Sequence, residues 1–464
     1  MSESNRHQWN WTEWMFTSAA IAVICGGCGT PAEDPTLEQT GQTVDKDVDE
    51  EKGGASVDAV VMEEHATSDA LKTIQGVARQ PFVSQTRRLI EAMDFAGSPF
   101  SVADRDTLDA AMLLGDDAES IEKIQQVLNA YTLVEVHINA EAGVKVTRGE
   151  CDASLQQKGW RAFLVRVHNE PRVSARLTVN SRNSQPTMDF AKEGTISASE
   201  VEERWMKVEM LDKKPLNTRL SGLPLEYRIM TVFSRDAGEH EGHLAFDIGH
   251  GSQDIGLRND LQLVFDCEPA VEVTFHIKDH DGTPTIGSLV IQDDQGQIYP
   301  LPARRIAPDF FFQEQIYRAS GESVMLPAGR YDIVYSRGPE YLRETKTVDV
   351  PDVENHPVEL QLTRWINPEA RGWISGDHHI HASGCMHYQS PAIGVEAPVM
   401  LRHIEGEGLN IGNVLTWGPG WEYQKNNFCG AADEVSTDHN LIRYDVEVSQ
   451  FPSDHTGHLC LLGL

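Results

Sequence analysis

Residues 271–277 read V-E-V-T-F-H-I. Val271, Val273, Phe275 and Ile277 alternate with Glu272, Thr274 and His276, and strand side chains point to opposite faces with a period of two. The stretch predicts a strand with one face buried and the other in water. The same rhythm appears upstream. Val173, Ala175, Leu177 and Val179 alternate with Ser174, Arg176 and Thr178, and Phe163, Val165 and Val167 follow Trp160 in the same way. Turns rich in Gly, Asn and Pro separate these runs, as in half-buried antiparallel sheet. The expectation is a multidomain, mainly β chain, with one β-sandwich over 131–267 and a second over 268–364. A long turn-rich connection at 213–223 lies inside the first.

Before the strands, 66–130 reads as helical. Asp116 to Glu119 offers an N-cap, and Ile121, Ile124 and Leu128 then recur on one face. The 464 residues give room for more than one core. The charge is strongly acidic: 39 basic against 71 acidic side chains, a net of −32. That balance argues against nucleic acid as a partner, because phosphate backbones are held by clustered Lys and Arg. Of the seven cysteines, those after Cys28 are widely spaced. A dense disulfide framework is excluded, and mostly free, buried thiols are expected.

The N-terminus reads as a targeting segment. Residues 15–25 are an apolar stretch of secretory length, too short to span a bilayer, and Gly26-Gly27-Cys28 follows. Small residues before a cysteine resemble a bacterial lipobox. The resemblance implies that 1–28 is a signal peptide and that Cys28 carries the lipid. The protein would then be exported and anchored in the bacterial cell envelope, meeting the membrane through its anchor alone. Residues 29–65, acidic and almost free of large apolar side chains, read as a disordered linker.

Metal chemistry concentrates after Trp373. Residues 374–382 read I-S-G-D-H-H-I-H-A, which puts His379 and His381 on one strand face, where two imidazoles can share an ion. Asp377 falls on that face and can support a ligand from behind, while His378 points the other way. A short helix over 396–407 carries Val399, Met400, Leu401 and Ile404, and Gly408 ends it. Strands over 409–415 and 444–448 follow, then 457–462. Strand–helix–strand alternation implies a parallel sheet, with Glu447 and His458 at its carboxyl ends beside the two histidines.

Two resemblances emerge from these residues. The Asp281-Gly282-Thr283-Pro284 turn and the L-P-A-G-R-Y run at 326–331 resemble a carboxypeptidase regulatory-like, transthyretin-like domain. The G-D-H-H-I-H-A opening, the E-G-L-N-I-G-N-V-L-T step at 407–416 and D-V-E-V-S followed by G-H-L-C-L-L-G-L resemble the PHP (polymerase and histidinol phosphatase) superfamily, closest to its CehA/McbA-type metallohydrolases. That resemblance implies a divalent metal centre of Zn, Mn or Fe, one or two ions, on His379, His381, Glu447 and His458, with His387 a further ligand. A metal-activated water would attack a small phosphoester or a carboxyl or carbamate ester, no side chain beyond the ligands acting directly. Thr416-Trp417-Gly418 stands where the family has T-D-H, and the family's later ligands have no counterpart. The expectation for 371–464 is therefore part of an α/β, distorted TIM-type barrel, a fragment of the full domain. The competing reading is a catalytically inactive cell-surface binding or scaffold lipoprotein.

Overall fold

The computed structural model describes residues 70–184, 198–249, 259–450 and 457–463. Cys28, the signal segment and the linker expected at 29–65 lie outside the described residues.

Three helices come first: Arg79–Ala96, Val102–Leu113 and Asp117–Ala130. Asp116 caps the third, its carboxylate accepting the Glu119 amide at 3.0 Å, which satisfies one of the donors a helix start leaves open. Ile121, Ile124 and Leu128 turn inward, as their spacing requires. They pack with Leu89, Met93 and Leu108 onto Leu164, Tyr227 and Ile229 of a five-stranded sheet.

That sheet runs in the order 144–148, 132–138, 159–169, 225–234, 206–210. Its other face meets a four-stranded sheet of order 154–156, 260–268, 238–247, 178–180, and the two enclose Val136, Val165, Val167, Phe246 and Phe265. The five-stranded sheet is thus covered on both sides. This corrects the half-buried, antiparallel expectation for Trp160 to Val167. Leu164 and Arg166, on the face assigned to water, are fully buried under the helices. Arg166 survives there by donating to the Lys72 carbonyl at 2.5 Å and to the Gln125 side chain at 3.3 Å. The strand also pairs with Thr132–Ile138 in parallel, not antiparallel.

The run at 173–179 keeps its inward residues but not its length as a strand. Ala175, Leu177 and Val179 are buried, yet only Thr178–Asn180 joins a ladder. Before it, the chain bonds to the neighbouring loop: the Leu220 amide donates to the Ala175 carbonyl, and the Ser174 hydroxyl to the Leu220 carbonyl, both at 2.8 Å.

Ala270–Lys278 behaves as its alternation requires, with Val271, Val273, Phe275 and Ile277 in the core. It lies between Ser323–Pro327 and Asn355–Gln361, the latter again parallel. A second sheet, of 286–293, 298–299, 316–319, 329–336 and 344–350, closes this unit. Gly282 turns with φ of +89°, a conformation that favours glycine, and the Tyr331 hydroxyl donates to the Pro327 carbonyl at 2.8 Å.

The last unit is an open four-stranded sheet in the order Gly376–Ile380, Ile411–Thr416, Leu441–Val448, Leu459–Leu461. The first three strands are parallel and the fourth is antiparallel to the third. Helix Ala397–Gly406 crosses between the first two and buries Met400, Leu401 and Ile404 against Val414 and Ile442. Gly412 permits this close approach, since a Cβ there would sit 2.2 Å from the Ile404 side chain. Between 416 and 441 only short helical turns occur. The barrel expectation is therefore corrected: among the described residues the winding ends when the last strand reverses, and the sheet does not close.

Candidate metal centre

The centre is built at the carboxyl end of the three parallel strands, where loops leave the sheet and side chains can converge. His379 and His381 stand two residues apart, and Glu447 projects from the third strand of the sheet. The Glu447 side chain is only 1% exposed. His379 Nε2 and His381 Nε2 lie 3.0 and 2.7 Å from Glu447 Oε2 and 3.0 Å from each other. In a tetrahedral shell with bonds of about 2.1 Å the ligand atoms lie within about 3.6 Å of one another. All three separations meet that condition.

The set has the chemistry of a cation site as well as its spacing. With each ring donating its Nε2–H to the same carboxylate oxygen, two N–H groups crowd together at 3.0 Å. A divalent cation between the three atoms replaces that crowding with attraction. Burial holds His381 below the usual imidazole pKa despite the opposing pull of Glu447, so it stays in the neutral form that binds metals. Burial pushes the Glu447 carboxyl up, but the Ser449 hydroxyl and the two imidazoles outweigh it and hold the group below the ordinary carboxylate range. The outer nitrogens face sulfur: Cys385 Sγ lies 3.3 Å from His381 Nδ1 and Cys460 Sγ 3.9 Å from His379 Nδ1. Such outer partners fix which nitrogen a ring offers to a metal.

His458 Nδ1 reaches the other carboxylate oxygen, Glu447 Oε1, at 2.5 Å. The sequence placed His458 beside a parallel strand, and the observed route is different. The final strand runs antiparallel, so its beginning, Leu459, pairs with Val448 at the end of the third strand. The histidine arrives at the same place by the opposite direction. Asp377 does not stand behind a ligand ring; its carboxylate accepts the main-chain amide of His379 at 2.9 Å. His387 does not join the cluster. It is exposed, and its ring packs against Phe312 with centroids 5.2 Å apart. Gly418 stands at the histidine position of the T-D-H step and offers no ligand, while Trp417 before it lays its ring 5.3 Å from that of His381.

Sequence reasoning missed Ser449, whose hydroxyl donates to Glu447 Oε1 at 2.9 Å. The signal was present: Ser449 is two residues beyond Glu447, on the same strand face. The five cysteines among the described residues are all free, as expected, but only Cys267 is buried, which corrects the expectation of mostly buried thiols.

No family model matches the chain, and no curated protein matches it. Solved structures with some likeness include the Bacillus anthracis TIE protein, at 11% identity and a TM-score of 0.16, over 57% of this chain and 48% of that one. The chain thus spans about half the length of that protein. BcpA, the major pilin subunit of Bacillus cereus, gives 10% identity and 0.18, over 50% and 70% of the two chains. The Corynebacterium diphtheriae major pilin SpaA gives 9% and 0.16, over 45% and 65%. The PHP and CehA/McbA-type hydrolase reading is corrected: no family model matches the chain, and the described part of 371–464 forms an open four-stranded sheet in place of a barrel. The carboxypeptidase regulatory-like assignment likewise has no matching model. No helix among the described residues is long and apolar enough to cross a membrane.

Proposed function

We propose that this chain is an exported scaffold protein of β units whose C-terminal unit holds one divalent metal ion. The convergence of His379, His381 and Glu447 on one point supports the reading, with His458 and Ser449 on the far oxygen of the carboxylate. Two imidazoles and a carboxylate suit Zn²⁺ better than the hard ions Mg²⁺ or Ca²⁺, which prefer all-oxygen shells. The ion's role in this proposal is structural. It ties the first strand of the last sheet to the third and to the start of the fourth. Zn²⁺ at a hundredfold excess over its Kd is expected to stabilise the folded state by about 2.7 kcal/mol, read as an upward shift of the thermal transition. A transition that does not move on adding Zn²⁺ would overturn the proposal.

Lipid anchoring at Cys28 is the second part of the proposal, supported by the apolar run and Gly-Gly that precede it. Cys28→Ser is expected to move the protein from the detergent phase to the aqueous phase, or to leave its precursor unprocessed. Unaltered partitioning and processing would remove the anchor.

A further inference from the structure

A second group of metal-binding side chains lies far from the first in sequence, on the five-stranded sheet. Strands Thr132–Ile138 and Gly159–Asn169 run parallel, and His137 is the register partner of His168. Neighbouring strands lie about 4.8 Å apart, so partner residues project side by side from one face. Glu170, two residues after His168, returns to that face. Its amide donates to the Ile138 carbonyl at 3.1 Å, which continues the pairing beyond the strand. The chain then turns sharply, held by Asn169, whose side chain bonds both the amide and the carbonyl of Val173, at 3.0 and 2.9 Å. The position of Glu170 is therefore fixed by its own main-chain bond and by the Asn169 side chain.

His137 Nε2 lies 2.8 Å from Glu170 Oε1. The His168 ring stacks on His137 with centroids 4.6 Å apart and planes within 13°. One ligand atom from each of the three lies within 4.8 Å of the others, a wider spacing than at the C-terminal centre, so an ion must draw the rings closer together. The opposite sheet face is solid core, Val136 and Ile138 beside Val165 and Val167, so the two histidine backbones cannot drift apart. The side chains themselves are reachable, His137 at 33% and Glu170 at 42% exposure.

We propose that His137, His168 and Glu170 form a second divalent-metal site, of two imidazoles and one carboxylate, completed by water. It takes borderline ions such as Zn²⁺, Ni²⁺ or Cu²⁺. The terminal torsion of histidine is broad, so the stacked rings turn about their Cβ–Cγ bonds to aim both nitrogens at an ion beside Glu170. Arg166, one turn of the pleat away, is already engaged with Glu135 at 3.5 Å, which leaves Glu170 as the carboxylate free to face the ion.

The site is tested with Zn²⁺ alone, by isothermal titration of a chain carrying His379→Ala and His381→Ala, so that the C-terminal centre is silent. One equivalent is expected to bind. Adding His137→Ala and His168→Ala is expected to abolish it, and Glu170→Gln to weaken it at least tenfold. Should the background variant fail to fold, the same His137→Ala/His168→Ala pair in the otherwise unchanged chain is expected to lower the Zn²⁺ stoichiometry by one. Equal stoichiometry and affinity with and without His137 and His168, in whichever background folds, would overturn the proposal.

Discussion

Leu177→Asp is expected to destabilise the first sandwich by about 3–5 kcal/mol, the cost of leaving a charge buried without a partner. Leu177 is 2% exposed and shares a core with Leu220, Phe246 and Phe265. The nearest charged neighbour in sequence, Arg176, is turned outward and paired with Asp212 at 3.1 Å, so it does not rescue the new carboxylate. The variant carboxyl would either take up a proton or drag water into the core, and both routes cost stability. Denaturant unfolding of parent and variant measures the difference. A midpoint unchanged within error would mean that Leu177 faces water and that the packing of 173–179 is misassigned.

Glu447→Gln is expected to weaken Zn²⁺ binding at the C-terminal centre on the order of 100-fold or more. Losing an outer partner of a metal ligand costs about 10–100-fold, and here the ligand itself is lost. Glu447 holds the centre together: Oε2 meets both His379 and His381, and Oε1 meets Ser449 and His458. Glutamine has the same shape and keeps the Ser449 contact, so the fold is retained while the charge that neutralises the cation is gone. Competition titration against a chelator of known affinity reads the change. An affinity within twofold of the parent would remove Glu447 from the site.

The residues explain why parts of this architecture could be read in advance and others not. Val271 to Ile277 was legible because one face meets a core and the other meets water, the condition under which period two survives in a sequence. Asp116 was legible because a helix start is decided by the few residues next to it. Leu164 and Arg166 were not, because helices from 79–130 cover that face, and nothing local to the strand records the cover. The parallel pairings of 132–138 with 159–169 and of 270–278 with 355–361 were hidden for a similar reason: partners are chosen by tertiary packing, and alternation is blind to direction. At the metal centre, His379, His381 and Glu447 could be read from strand periodicity, and the structure brings them together. His387 was misplaced because a histidine in a loop has no periodicity, and its ring found Phe312 instead. Asp377 was misplaced because a short acidic side chain meets the amide two residues on more readily than a distant ring.

His379 and His381 at the end of the first strand and Glu447 on the third are proposed to hold one divalent ion, with His458 and Ser449 on the other carboxylate oxygen. The most direct test of this proposal is the zinc content of the purified chain, by mass spectrometry after Zn²⁺ loading and desalting, beside His379→Ala/His381→Ala. The double variant is expected to retain one equivalent fewer than the parent. Equal zinc in the two would contradict it.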